Sequence, residues 1–445
     1  MADIIPFKGI HYNPEKIDDF SDVVAPPYDV ISPREQEQFY RRHPNNVIRL
    51  ILGKIKKTDT PQDNSYTRAA NFLKTWMKEQ ILVRDPVPAL YLSSVDFHIE
   101  DRPITRFGLV ALVRVEPFEK GIILPHEKTF SKVKSEQLEL MKSCHANFSP
   151  IFSLYSNHND ILNTLKQSAT KRAPDLRMYD SNGFLQQIWK ITDEAVHQRV
   201  LETMAPKTIF IADGHHRYET ALNYRNWVAS NTPDFSDNHP ANFILMSLSS
   251  MEDPGLVILP AHRILREVDA ETLATFEKRA DPYFEITPFA FQPHEIDTVR
   301  DRFITQLHLK KEQNCIGMFL KNRDAFILLT LKPGVMDALF SNEIPESLRN
   351  LDVTVLTRLI FMEILGFDQN RLDNEKLITY SSKVKEAIEI VRSENYDVTF
   401  ILNPTKMEQV RQVAEEGLIM PRKSTYFYPK VISGHILRDM KQNNS

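Results

Sequence analysis

A mixed α/β fold is the architecture this sequence predicts, and three patterns predict it. An apolar run of strand length, residues 208–212, stops at Asp213-Gly214 and gives way to a helical face. Two alternating runs, 89–99 and 104–115, flank the turn residues Glu100-Asp101-Arg102-Pro103 as a hairpin. A second hairpin, 316–320 with 325–331 around Lys321-Asn322-Arg323-Asp324, precedes a further strand and helix near the C-terminus.

The elements follow in chain order. Residues 1–55 read as short extended pieces around proline-rich turns centred on Ala25-Pro26-Pro27-Tyr28-Asp29, and that rigid turn offers Tyr28 and Asp29 to a pocket or serves structure alone. Tyr66, Ala69, Ala70, Leu73 and Met77 then recur at helical spacing over 65–80. After the first hairpin, Ile122-Ile123-Leu124 forms a short strand, so Pro125-His126-Glu127-Lys128-Thr129 lies at a strand exit before a helix over 136–145. Tyr218, Ala221, Leu222 and Val228 mark the helix after Asp213-Gly214. A boundary is expected between 266 and 277, giving a core domain over 1–270 and a C-terminal α/β domain over 271–445. In that second part 398–402 is a strand, and the following helix is expected to open with a capping box of Thr405 and Glu408.

Composition narrows the function. With 26 Phe and 14 Tyr among 445 residues, the chain can bury a real core. Its net charge of −4 supplies no global positive field, which argues against nucleic acid or an anionic membrane as partner. Two cysteines, Cys144 and Cys315, cannot form a disulfide framework and suit a reducing cytoplasm. Neither a basic-then-apolar leader nor an apolar run of roughly 18 residues is present, so a cytoplasmic protein is expected. With 12 glycines and no GxGxxG or Walker pattern, any phosphate cradle must be built another way.

Asp213-Gly214-His215-His216-Arg217 is the best candidate for that cradle. A helix beginning near His215 presents the positive end of its dipole to an anion. Arg217 adds a fork for phosphate oxygens, Gly214 permits close backbone approach, and Asp213 can cap the helix, orient a histidine or hold a metal ion. Adjacent histidines on a helix diverge by about 100° and rarely share one ion, which disfavours zinc. In Pro125-His126-Glu127-Lys128-Thr129, Glu127 is placed to act as a general base flanked by His126, and Lys128 to offset phosphate charge; a surface salt-bridge turn is the plainer reading of that pentapeptide. Arg422-Lys423-Ser424-Thr425 offers cations and hydroxyls for a second grip on phosphate or carboxylate, or a solvated basic turn. Ala261-His262-Arg263 reads as structural first, with a further polar group for the site as the alternative.

Taken together, "APPYDVI", "NVIRLILG", "LPHEKT", "ANFSPIFSLY", "FIADGHHRYETA" and "MPRKSTYFYPK" make nearly the whole chain resemble the family labelled domain of unknown function 1015. "PHE" at 125–127, "DGHHR" at 213–217 and the stretch 400–425 also resemble, in the same order, the free-serine kinases built on a ParB-like nucleotide-binding domain. That resemblance implies a ParB-like core with large insertions, and phosphoryl transfer between ATP or ADP and free serine, or the same chemistry run on phosphoserine. It implies Glu127, with His126 and Asp213, as catalytic, and Gly214, His215, His216 and Arg217 as the phosphate turn. Lys128, Thr129, Lys423, Ser424 and Thr425 would contact substrate. Mg²⁺ would be held at Asp213, and a homodimer is compatible with this picture. The competing reading is a ParB-like nucleotide switch or nucleic-acid-binding module. Sulfiredoxins share the domain but depend on a cysteine beside the phosphate turn, and none lies near Asp213 in sequence.

Overall fold

The computed structural model describes residues 2–127, 131–156, 160–374 and 376–441, with the backbone alone at 131–133. The fold is mixed α/β and divides into two units, one of Met1–Val257 with Pro429–Ser445 and one of Ile258–Tyr428.

The first unit is built on a nine-stranded mixed sheet. Its strands run in the order Ile123–Leu124, Ile209–Asp213, Ile151–Tyr155, Phe243–Ser250, Arg102–Arg114, Leu90–Ile99, Leu185–Ile191, Leu176–Tyr179, and Ile4–Ile5 joins Arg102–Arg114. Period-two alternation along Arg102–Arg114 explains how the sheet is covered on both faces. Leu109, Ala111 and Val113 point into a core with Leu165, Met204 and Tyr218 from three helices, Asp160–Ala169, Glu194–Met204 and His215–Asn231. Val110 and Leu112 point the other way, onto Phe7, Tyr91, Ile432 and Ile436. Each fully buried aliphatic side chain contributes roughly 1.5–3 kcal/mol, so both faces hold the sheet firmly.

The expected hairpin forms between Leu90–Ile99 and Arg102–Arg114, but its loop is tighter than the sequence suggested. Arg102 and Pro103 join the ladder opposite Ile99 and His98, and Glu100 takes a φ of +53° to close the turn. The first 55 residues are less extended than expected, because a helix occupies Pro33–Arg42. Its start is a capping box: Glu35 N–H donates to Ser32 Oγ at 3.3 Å and Ser32 N–H donates to Glu35 Oε2 at 2.8 Å, with proline at the first helical position.

The second unit carries a six-stranded sheet in the order Phe284–Ala290, Ala325–Leu331, Cys315–Leu320, Val398–Leu402, His262–Leu265, Ile378–Ser381. Every neighbouring pair in it is antiparallel. Helices Ile296–Leu309 and Val384–Ser393 lay Phe303, Leu307, Ala387 and Val391 against Ile264, Phe326 and Ile401.

Two expectations shift here. The division falls at 257/258 rather than at 270/271, because His262–Leu265 is an interior strand of the second sheet. The chain's last segment also returns to the first unit, where Ile432, Ile436 and Leu437 are buried. The helix Met407–Glu415 starts one residue later than a Thr405 cap would have it: Gln409 Oε1 accepts the Lys406 N–H at 2.9 Å, while Thr405 Oγ1 donates to the Ser424 carbonyl at 2.6 Å. Among the described residues no helix is long and apolar enough to cross a membrane.

Candidate functional site

Strand pairing brings the two strongest motifs together. Ile123–Leu124 runs parallel to Ile209–Asp213, with Ile123 opposite Ile209 and Leu124 opposite Phe210. Parallel neighbours leave a sheet at the same end, so Pro125-His126-Glu127 emerges beside Asp213-Gly214-His215.

His215 is the hinge between them. Its Nε2 accepts the His126 backbone N–H at 3.3 Å, and the two imidazoles meet edge to face at 4.8 Å. An Nε2 that accepts must carry its proton on Nδ1, and Nδ1 faces Glu127 Oε2 at 3.7 Å. That separation is too long for a hydrogen bond, so the contact is one of orientation. Burial, with His126 beside it, holds the His215 imidazole well below its usual range, and burial pushes His126 down to about 4. Both rings are therefore neutral at pH 7. With His215 neutral the Glu127–His215 contact is not an ion pair, and Glu127, with 30% of its side chain exposed, faces the ring.

Beneath the turn lies a buried charge cluster. Arg217 Nη2 donates to Asp213 Oδ2 at 2.7 Å, and Lys430 Nζ bonds Asp213 Oδ1. Burial alone would raise the Asp213 carboxyl, but Lys430 and Arg217 outweigh it and hold the group at about 2. Burial likewise opposes charge on Lys430; Asp213, then Asp29 and Glu127, more than compensate and keep its ammonium above its ordinary value. Asp213, Arg217 and Lys430 alone sum to +1, and Asp29 and Glu127, which also act on Lys430, set further acidic groups beside them.

Gly214 makes that arrangement fit. It is the N-cap of His215–Asn231, at φ +98°, and a Cβ there would lie 2.9 Å from the Arg217 guanidinium. Glycine both adopts the left-handed conformation and lets Arg217 fold back under the turn. No side chain caps this helix, so Asp213 is not the cap that its position allowed. Arg217 is 8% exposed and gives its Nη1 to the Pro150 carbonyl as well as Nη2 to Asp213. Its fork holds the turn from inside. His216 is half-buried at the same helix tip.

Tyr28 also borders the site, together with Arg217, Met141 and Phe148 around a cavity of about 40 Å³. Burial, with Asp29 next, raises its phenol well above the usual range, so it stays protonated.

Asp213 is also the residue expected to hold Mg²⁺. Each of its oxygens is bonded to a cation, so a divalent ion would meet two positive charges where it needs open oxygen ligands. Among the described residues no group of three His, Cys, Asp or Glu is gathered to hold a metal.

Lys128 and Thr129 lie outside the described residues. Lys423, Ser424 and Thr425 belong to the second unit. Lys423 is exposed at φ +56°, and its carbonyl accepts from Arg263 Nη2 at 2.9 Å. Ser424 Oγ donates to the Pro421 carbonyl at 2.5 Å, so its hydroxyl closes its own turn. Arg263, read as structural, is thus a clamp on this loop. Lys430 was not singled out by sequence: its partner Asp213 is 217 residues away, and nothing local marks the pair.

A family model described as a protein of unknown function, DUF1015, matches residues 4–354. No curated protein matches significantly. Among solved structures, a free serine kinase in complex with AMP is similar at 11% identity, covering 72% of this chain and 87% of its own, with a TM-score of 0.35. A conserved hypothetical protein from Pyrococcus furiosus is similar at 10% identity, covering 74% and 94%, with a TM-score of 0.35. SbnI with a C-terminal truncation, from Staphylococcus aureus, is similar at 10% identity, covering 76% and 90%, with a TM-score of 0.36.

Proposed function

The chain belongs to the DUF1015 family of proteins of unknown function, and from that premise we propose that its first unit is a phosphoryl-transfer enzyme. Its substrates are a nucleotide, ATP or ADP, and free serine, or O-phosphoserine when the chemistry runs in reverse. The observation that carries this reading is the Glu127 carboxylate set against His215 at the tip of the helix His215–Asn231.

A serine hydroxyl attacking the terminal phosphorus of a nucleotide forms a new P–O bond as the bond to the bridging oxygen breaks. The hydroxyl proton needs an acceptor, and Glu127 is a partly exposed carboxylate beside the place where an anion is favoured. His215 cannot compete for that proton through Nδ1, which already carries one; it positions the carboxylate. His126 acts through its backbone N–H, which fixes the His215 tautomer. The helix dipole, with the Arg217 and Lys430 cations beneath it, offsets charge on the phosphoryl oxygens.

The test is incubation of the purified protein with ATP or ADP and L-serine, or with ADP and O-phosphoserine, with and without Mg²⁺, followed by ³¹P NMR. Turnover is expected in at least one arm. Glu127→Gln should lower it about 10²–10⁴-fold, the usual worth of a positioned base, with nucleotide affinity kept within about twofold. Absence of turnover in every arm, or an equal loss of affinity and rate in Glu127→Gln, refutes the proposal.

A further inference from the structure

The second unit holds a polar cavity of about 230 Å³, large enough for a small metabolite rather than a single water. Its lining is almost wholly polar and joins the acceptors of Asp352 and Asn403 to the lysines Lys311 and Lys406. Asn403, directly after the strand Val398–Leu402, is 7% exposed and gives its Nδ2 to the Leu307 carbonyl at 3.1 Å. That bond fixes the amide, since a flipped side chain would set oxygen against oxygen. Asn403 Oδ1 is left buried with no hydrogen-bond partner. An unmet buried carbonyl costs roughly 1–3 kcal/mol, a cost that an entering donor would remove.

Asp352 lines the same cavity and accepts from Asn314 Nδ2 at 2.9 Å. Burial pushes its carboxyl up to about 7, against smaller downward pulls from the Asn314 hydrogen bond and from Lys406. A charged carboxylate there lacks a sufficient counter-ion. The opposite character appears at the rim, where Lys311 is exposed, Lys406 pairs with Glu312 at 2.6 Å, and the helix Met407–Glu415 begins. Among the described residues no metal-binding group of three acidic or imidazole side chains exists, so a coordinated metal does not answer the need.

We propose that this cavity binds a small molecule carrying a primary ammonium group, of the size and class of a free amino acid, with the ammonium against Asp352 and Asn403 and the carboxylate toward the helix Met407–Glu415. An ammonium brings three donors and no acceptor, which suits two acceptors. Its charge supplies the counter-ion that Asp352 lacks, and the rim's lysines and helix end suit a carboxylate.

The test is calorimetric titration of the full-length protein with the free L-amino acids, with methylamine and ethanolamine as carboxylate-free probes, and with glycerol as a probe without charge. Binding by at least one amino acid is expected, weaker binding by the amines, and none by glycerol. Asp352→Asn and Asn403→Leu should each weaken it roughly 10- to 100-fold, the worth of a hydrogen bond to a charged group. Glu127→Gln should leave it unchanged, which separates this site from the first unit's. Circular dichroism and melting temperature verify that Asp352→Asn, a nearly isosteric change, is folded. The inference is overturned if no amino acid or amine binds, if glycerol binds as well as they do, or if affinity survives Asp352→Asn.

Discussion

Replacing Asp213 with Asn probes the charge cluster on which the site is built. Asp213, Arg217 and Lys430 are each close to nine-tenths buried, with side-chain exposures of 11%, 9% and 14%. The carboxyl is held at about 2 against an ordinary 3.8, which corresponds to stability on the order of 2–3 kcal/mol. Asn at this position leaves two buried cations without their anion, and stripping one member from a buried ionic cluster costs about 3–5 kcal/mol. Lys430→Met leaves a neutral Asp213–Arg217 pair and should cost less, roughly 1–3 kcal/mol. The double variant should be more stable than Asp213→Asn alone, since one cation leaves with the anion. The pH dependence has a definite sign: a depressed carboxyl stabilises fully above about pH 3.8, and that contribution disappears as the pH falls through about 2. Native protein and Asp213→Asn should therefore converge between pH 4 and 2. Because two units do not have to unfold together, hydrogen exchange at the amides of Ile209–Asp213 is the measurement, supported by urea unfolding. A cost below about 0.5 kcal/mol at pH 7, the size of an ordinary surface change, or simple additivity in the double variant, would show that the reasoning is wrong.

Three further outcomes follow from neighbouring contacts. NMR of labelled imidazoles should find His126 and His215 neutral throughout pH 5–8; the stability gained by keeping His126 uncharged is present above about pH 6.5 and declines as the pH falls toward about 4. Gly214→Ala, which puts a Cβ 2.9 Å from the Arg217 guanidinium at φ +98°, should cost about 1–3 kcal/mol by urea unfolding. Gly417→Ala, at φ +68° with nothing within 4 Å of the added carbon, should cost only the backbone part, roughly 1 kcal/mol, and equal losses at the two positions would discount the Arg217 contact.

Local chemistry was readable in the sequence and remote chemistry was not. The strand into Asp213, the helix after Gly214 and both hairpins follow from apolar periodicity and turn residues, which act over a few positions. That Glu127 lies against His215 could only be guessed from resemblance, because it depends on parallel pairing of Ile123–Leu124 with Ile209–Asp213, and a two-residue strand carries almost no signal. The helix Pro33–Arg42 is different: Ser32, Pro33 and Glu35 spell a helix start, and the surrounding prolines masked it. Arg217 was recognised as important, but its direction was not, since the inward turn depends on Pro150, Lys430 and the space that Gly214 leaves.

Lys430 reaches Asp213 from 217 positions further along the chain, after the whole of Ile258–Tyr428 has intervened. Synthesis on a ribosome proceeds in one direction, so the nascent first unit must wait with Asp213 lacking one of its two cations while another complete unit emerges. Until then the first unit is assembled but not locked, and a ribosome that stalls before Pro429 releases a chain whose central carboxylate has lost its second clamp.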